Sequence, residues 1–226
     1  MKLAVRRRIG LVTGIVLGAV AIAALCAPGC EHLHAAGPMN VGHATVACES
    51  CHREAPGTVR QQLQAVARTW TGMREGAIDV GFRDVSSQEC TACHDRPEDR
   101  HPGFRFLEPR FNEVRAELHP ERCDSCHREH AGVRVTIAET TYCRHCHGEL
   151  VVEKDPLDVP HARLVADQRW ETCLGCHDFH GNHAGKPPRR LDEALAVEQI
   201  RSYFTGGPSP YGEPVVRAIQ PEEKPR

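Results

Sequence analysis

The sequence is short of the residues that build an ordinary hydrophobic core. Phe, Trp and Tyr together make up 5% of it, and beyond residue 30 there is no long apolar run. Methionine is scarcer still, with only Met1, Met39 and Met73. Cysteine outside one repeated pattern is limited to Cys26 and Cys30 near the N-terminus. No other pair is left to staple the body of the chain with a structural disulfide. A basic surplus is missing as well. Residues 1–30 carry four cations (Lys2, Arg6, Arg7, Arg8) and no acid. The remainder has 24 cations against 30 acids, a net charge of −6, which argues against a nucleic-acid partner.

What the sequence does have is the pattern that takes up the other ten cysteines. C-x-x-C-H occurs five times: CESCH (48–52), CTACH (90–94), CDSCH (123–127), CRHCH (143–147) and CLGCH (173–177). Each reads as the attachment site of a c-type haem. Two thiols add across the two vinyl groups of one porphyrin: Cys48 and Cys51, Cys90 and Cys93, Cys123 and Cys126, Cys143 and Cys146, Cys173 and Cys176. The histidine that follows (His52, His94, His127, His147, His177) is held under the iron as its proximal ligand. Zinc knuckles also use C-x-x-C pairs. Here every pair is followed by His, and an odd number of pairs would leave one over. A disulfide scaffold fits poorly, because cysteines two residues apart close only a small strained ring. The expected cofactors are therefore five covalent haems, and their use is electron transfer.

The N-terminal 30 residues stand apart from the fold. Arg6, Arg7 and Arg8 precede an uncharged stretch, 9–29, long enough to cross a bilayer once. It reads as a signal peptide or a retained membrane anchor. The arginines stay in the cytoplasm, and the rest is exported to the periplasm or held at the membrane facing it. Residues 31–47 are expected to be a linker, 48–190 a pentahaem domain, and 191–226 a short helix followed by a Pro-rich disordered tail.

With so little core material, the expected fold is mostly irregular, with a few short α-helices wrapped on haem and little or no sheet. Val59, Leu63, Val66 and Trp70 recur at helical spacing within 58–73. Phe111, Val114 and Leu118 suggest another short helix, 191–204 allows one more, and Val133, Val135 and Ile137 alternate as in an extended piece. Each C-x-x-C-H should open or end a helical turn. The long stretch between the first two motifs sets the first haem apart from the other four. CDSCHREHAG and CLGCHDFHGN form a weak internal repeat, with His119 and His161 upstream of the two copies.

A haem iron takes a second axial ligand. Methionine is too rare to supply it, whereas ten of the 15 histidines lie outside the proximal positions. The candidate distal ligands are His43, five residues before Cys48, His119, four before Cys123, and His130 and His180, each three after a proximal histidine. His101 and His161, which adjoin prolines, and His183 complete the set. His32 and His34 lie too close to the N-terminal segment. His145 sits between two thioether cysteines and should point away from its own iron.

On His43-x4-CESCH, His119-x3-CDSCH, CDSCHREH and CLGCHDFH, the chain resembles the class III-like multihaem cytochromes c over residues 43–183. The resemblance implies a bis-His, low-potential electron carrier with closely stacked haems and little secondary structure. The chain departs from the best-known members in having five motifs and a long insert after the first. The leading expectation is a carrier, not an enzyme, that relays electrons between redox protein partners. An N-terminally anchored quinol dehydrogenase subunit is one alternative. The other is a multihaem reductase with one open haem acting on a small nitrogen oxyanion.

Overall fold

The computed structural model describes residues 3–219 except 26, 28, 29, 31, 32, 34, 77, 97 and 184. Cys26, His32, His34 and the end of the C-terminal tail lie outside the described residues. The described part is mostly helical and irregular. It has no β-strand and only two isolated bridges, Glu54 to Phe82 and His183 to Pro214.

Helix α1 (Leu3–Leu25) is apolar, and Val5–Leu25 is long enough to cross a membrane, with none of it buried against the rest of the chain. One N-terminal helix of this kind is either a membrane anchor or a signal sequence, so the chain is membrane-associated or exported.

Helix α2 (Val59–Trp70) starts at a reciprocal cap. Thr58 Oγ1 accepts from Gln61 N–H, and Gln61 Oε1 accepts from Thr58 N–H at 2.8 Å. Its buried position is polar. Gln62 donates to the carbonyls of Ala55 and Gly57 and accepts from Gly81 N–H, closing backbone groups of the flanking loops. Val59, Leu63 and Trp70 face outward. The apolar spacing thus locates the helix but does not mark an inward face.

The remaining helices are short. They are α3 (Ser87–His94), α4 (Asn112–Leu118), α5 (Arg144–His147), α6 (His161–Ala166), α7 (Cys173–Cys176) and α8 (Val197–Phe204). The main apolar cluster is formed by Leu174, Ile200 and Phe204, with Val135, Ile137, Tyr142, Phe179, Leu195, Tyr203 and Tyr211 packed around them. Gly175 permits the contact between α7 and the segment before α8. A Cβ there would lie 2.6 Å from Leu195 O, whose own N–H donates to Gly175 O at 2.9 Å. Only Ala55, Phe106 and Leu157 are buried apolar residues elsewhere among those described. The accessible surface is 16723 Å², against about 10,000 Å² for a compact chain of this mass. Exposed α1 contributes part of the excess.

Beyond the last helix, the tail makes contacts through Ile219. Tyr211 Oη donates to Leu174 O, Val215 N–H to Asn182 O and Ile219 N–H to Cys93 O. The linker is clasped at its second half, where Asn40 bonds Glu129, Arg128 O and Ala131 N–H. Within 133–137, expected as a brief extended piece, Val133 and Arg134 lie in a bend and no strand forms. Arg134 and Val135 N–H donate instead to Phe204 O at the end of α8.

Candidate functional site

Each motif closes one helical turn. The N–H groups of His52, His127, His147 and His177 donate to the carbonyl of their motif's first cysteine at 2.8–2.9 Å. The second motif forms the end of α3. Residues i, i+3 and i+4 share a face in such a turn, so both cysteines and the histidine of each motif point the same way.

Every motif histidine faces one other histidine. The ring centres are 6.2 Å apart for His52 and His130, 5.9 Å for His94 and His43, and 6.1 Å for His127 and His180. They are 6.1 Å apart for His147 and His101 and 6.2 Å for His177 and His161. No histidine is used twice. Metal–imidazole nitrogen bonds are about 2 Å, so two imidazoles on opposite sides of one metal have ring centres about 6 Å apart. The residues therefore fit a group held between two axial histidines.

The hydrogen bonds on the facing rings have the matching polarity. Nδ1 of His130 meets Gly37 O at 3.2 Å, and Nδ1 of His101 meets Phe179 O at 2.6 Å. A carbonyl only accepts, so the proton sits on Nδ1 and the lone pair on Nε2 is free for a metal. Nδ1 of His43 meets Glu129 at 2.8 Å, that of His161 meets Asp155 at 2.9 Å, and that of His180 meets Asp99 at 3.0 Å. Burial holds His94, His101, His127 and His177 below the ordinary histidine pKa, which favours the neutral, ligating form. Burial works against ionisation of Asp99, Glu129 and Asp155. The hydrogen bonds they accept from histidine rings and backbone N–H groups outweigh it, and all three stay below the usual carboxylate range.

Motifs adjacent in sequence are adjacent in space. Cys90 and Cys123 are neighbours, and their interaction raises the Cys90 thiol and lowers that of Cys123, with Cys51 raising Cys90 further. Cys143 and Cys173 form the equivalent pair. Phe179 joins the third and fourth positions, stacked 4.2 Å from His101 and edge-on 4.9 Å from His180. The first motif is therefore not set apart from the other four. Open clefts lie beside both thiol pairs. One of about 480 Å³ includes Arg144 and Trp170, and one of about 470 Å³ includes Gln88 and Arg122. Arg96 Nη1 is buried without a hydrogen-bond partner, and its charge acts on both His94 and His127. An acidic substituent of a bound group, such as a haem propionate, would satisfy it.

Of the seven proposed distal histidines, five stand opposite a motif histidine, and His119 and His183 do not. His119 ends α4 in the left-handed conformation and faces Glu121 at 3.4 Å. His183 has both ring nitrogens engaged, by Asp178 at 2.8 Å and Ser209 Oγ at 3.2 Å. His145 points to Glu117, away from its own motif's face. The internal repeat holds downstream, where His130 and His180 both face motif histidines, and fails upstream, where only His161 does. Sequence reasoning missed Asp99, Glu129, Asp155 and Phe179. An acid sits two residues before His101 and one before His130, but each serves a different histidine, His180 and His43.

No group of three or more His, Cys, Asp or Glu converges to hold a metal ion among the described residues, which gives the zinc reading no support. In comparisons with known proteins, no family model, no curated protein and no solved structure matches this chain.

Proposed function

We propose that this chain is a pentahaem c-type cytochrome, exported or membrane-attached, that relays electrons between redox protein partners. The observation that carries the reading is the one-to-one facing of all five C-x-x-C-H histidines with five others at 5.9–6.2 Å. When bound, haem supplies a one-electron Fe(III)/Fe(II) couple. The chain does the rest. Ten cysteines fix the macrocycles, and His52, His94, His127, His147 and His177 serve as proximal ligands. His130, His43, His180, His101 and His161, in that order, serve as distal ligands. Phe179 holds the third and fourth sites next to one another.

A filled set of axial ligands favours a carrier over a reductase, because no site is left with one histidine alone. The deciding experiment uses protein purified from a host with c-type maturation. Pyridine haemochrome should count five haems per chain, and electron paramagnetic resonance should show all of them low-spin without added ligand. Absence of covalent haem would refute the reading. A high-spin fraction near one haem in five would turn it toward a reductase.

A further inference from the structure

The five facing histidines differ in what holds their Nδ1–H. At the first and fourth sites the acceptor is a neutral carbonyl, Gly37 O for His130 and Phe179 O for His101. At the second, third and fifth sites it is a carboxylate: Glu129 for His43, Asp99 for His180 and Asp155 for His161. Asp99 and Asp155 engage the ring through both oxygens, at 2.9–3.1 Å. They are also more enclosed than Glu129, with side chains 15% and 14% exposed against 30%.

An ionised acceptor on Nδ1–H pulls the ring toward imidazolate and makes Nε2 a stronger donor. A stronger donor, with a negative charge behind it, stabilises the ferric over the ferrous state and lowers the potential. Each carboxylate is also fixed by backbone N–H groups. Asn40 donates to Glu129, His101 to Asp99, and Leu157 and His161 to Asp155. Their orientation therefore does not depend on the histidine alone. Cations stand nearby as well: Arg96 acts on His94 and His127, and Arg100 on His177. Arg96 acts on Asp99 as well as on the proximal rings, and the hydrogen bond from the His180 ring to Asp99 stays intact.

Resting on the haem reading above, we propose that Glu129, Asp99 and Asp155 are potential-setting residues, each lowering the reduction potential of the one haem whose distal histidine it holds. The wire is then uneven by construction, with carbonyl-held sites at positions one and four and carboxylate-held sites at two, three and five.

The test is a spectroelectrochemical titration of the matured protein and of Glu129→Gln, Asp99→Asn and Asp155→Asn. The amide keeps an acceptor oxygen in place and removes the charge. Each variant should raise one of the five potentials, a different one in each case, by roughly tenfold in that site's reduction equilibrium, which is about 59 mV for one electron. The shift should be largest for the two aspartates. Glu121→Gln, which faces His119 and no site, should move none. A uniform shift of all five potentials, or no shift, in variants that carry five low-spin haems would overturn the proposal and leave the haem reading standing. Loss of the low-spin signal at one site in a variant would also overturn it, because the acid would then be holding the ligand in place and not tuning it. Failure of the unsubstituted protein to carry haem would remove the underlying reading itself. Three separate sites are probed, and partly exposed Glu129 is the substitution least disruptive to folding.

Discussion

Replacing His180 by Ala separates ligation from mere proximity. His180 faces His127 at 6.1 Å, and its Nδ1 is held by Asp99, so the substitution should strip one axial ligand from one site. The other four pairs share no histidine with this one, so one haem in five should become high-spin, with carbon monoxide binding to the ferrous protein at about one equivalent. His183 is the matched control, only three residues away. Its side chain is 5% exposed, and both its nitrogens are committed to Asp178 and Ser209. His183→Ala should leave all five haems low-spin and cost stability only, about 1–3 kcal/mol for the unpaired buried partners. The spin states are read by electron paramagnetic resonance at low temperature, and the stability by guanidinium unfolding. An open iron in His183→Ala, or five low-spin haems in His180→Ala, would refute the pairing deduced from the ring geometry.

Four further outcomes are expected. The planes of His147 and His101 cross at 87°, against 30–51° for the other four pairs. The fourth site should therefore give one strongly anisotropic low-spin signal beside four more rhombic ones, and five equivalent signals would contradict the geometry. Gly175→Ala puts a methyl 2.6 Å from Leu195 O and should lower unfolding stability by about 1–3 kcal/mol, seen as a reduced guanidinium midpoint. Ser86→Ala removes the hydroxyl that caps α3 and donates to Glu89 at 2.7 Å, costing about 1 kcal/mol at neutral pH. The Ser86 hydrogen bond holds Glu89 below its ordinary pKa. The cap's contribution is therefore complete above the unfolded value of about 4.3 and fades as pH falls through the folded one. A gap between the two proteins that is unchanged on acidification would show the reasoning wrong. A chain with all ten motif cysteines replaced by serine should show no cooperative thermal transition by circular dichroism, since the chain buries few apolar side chains of its own.

The local geometry of the motifs was legible, because i, i+3 and i+4 share one face of a single helical turn, and on the haem reading that is what two thiols and an imidazole need to reach one macrocycle. The helical turn in each motif followed from the same spacing. Pairing was not legible, because it depends on how distant loops close. His130 and His180 occupy equivalent places after their motifs, yet they face His52 and His127. His119 looked as well placed before its motif as His43 does before the first, but it terminates α4 with φ 48° and is turned toward Glu121. The contacts of the tail were not legible, because Pro, Gly and charge dominate it. Its docking rests on a few residues, chiefly Tyr211 against Leu174 and the backbone contacts of Val215 and Ile219.

On the haem reading, the crossing of facing histidines between segments would account for how so thin a core can specify one arrangement. His43 precedes the first motif and faces the second, while His101 follows the second and faces the fourth. His130 follows the third and faces the first, and His180 follows the fifth and faces the third. Only His161 stays with its own motif. Each crossed pair, if joined through a metal, would tie distant loops together, and closing long loops removes the most freedom from the unfolded chain. Cofactor binding and folding are then one free energy. On the proposed reading, the same contacts would fix both the tertiary fold and the order of the electron path. On that reading, a change that frees one distal histidine should loosen the docking of the segment that carries it, as well as altering one iron.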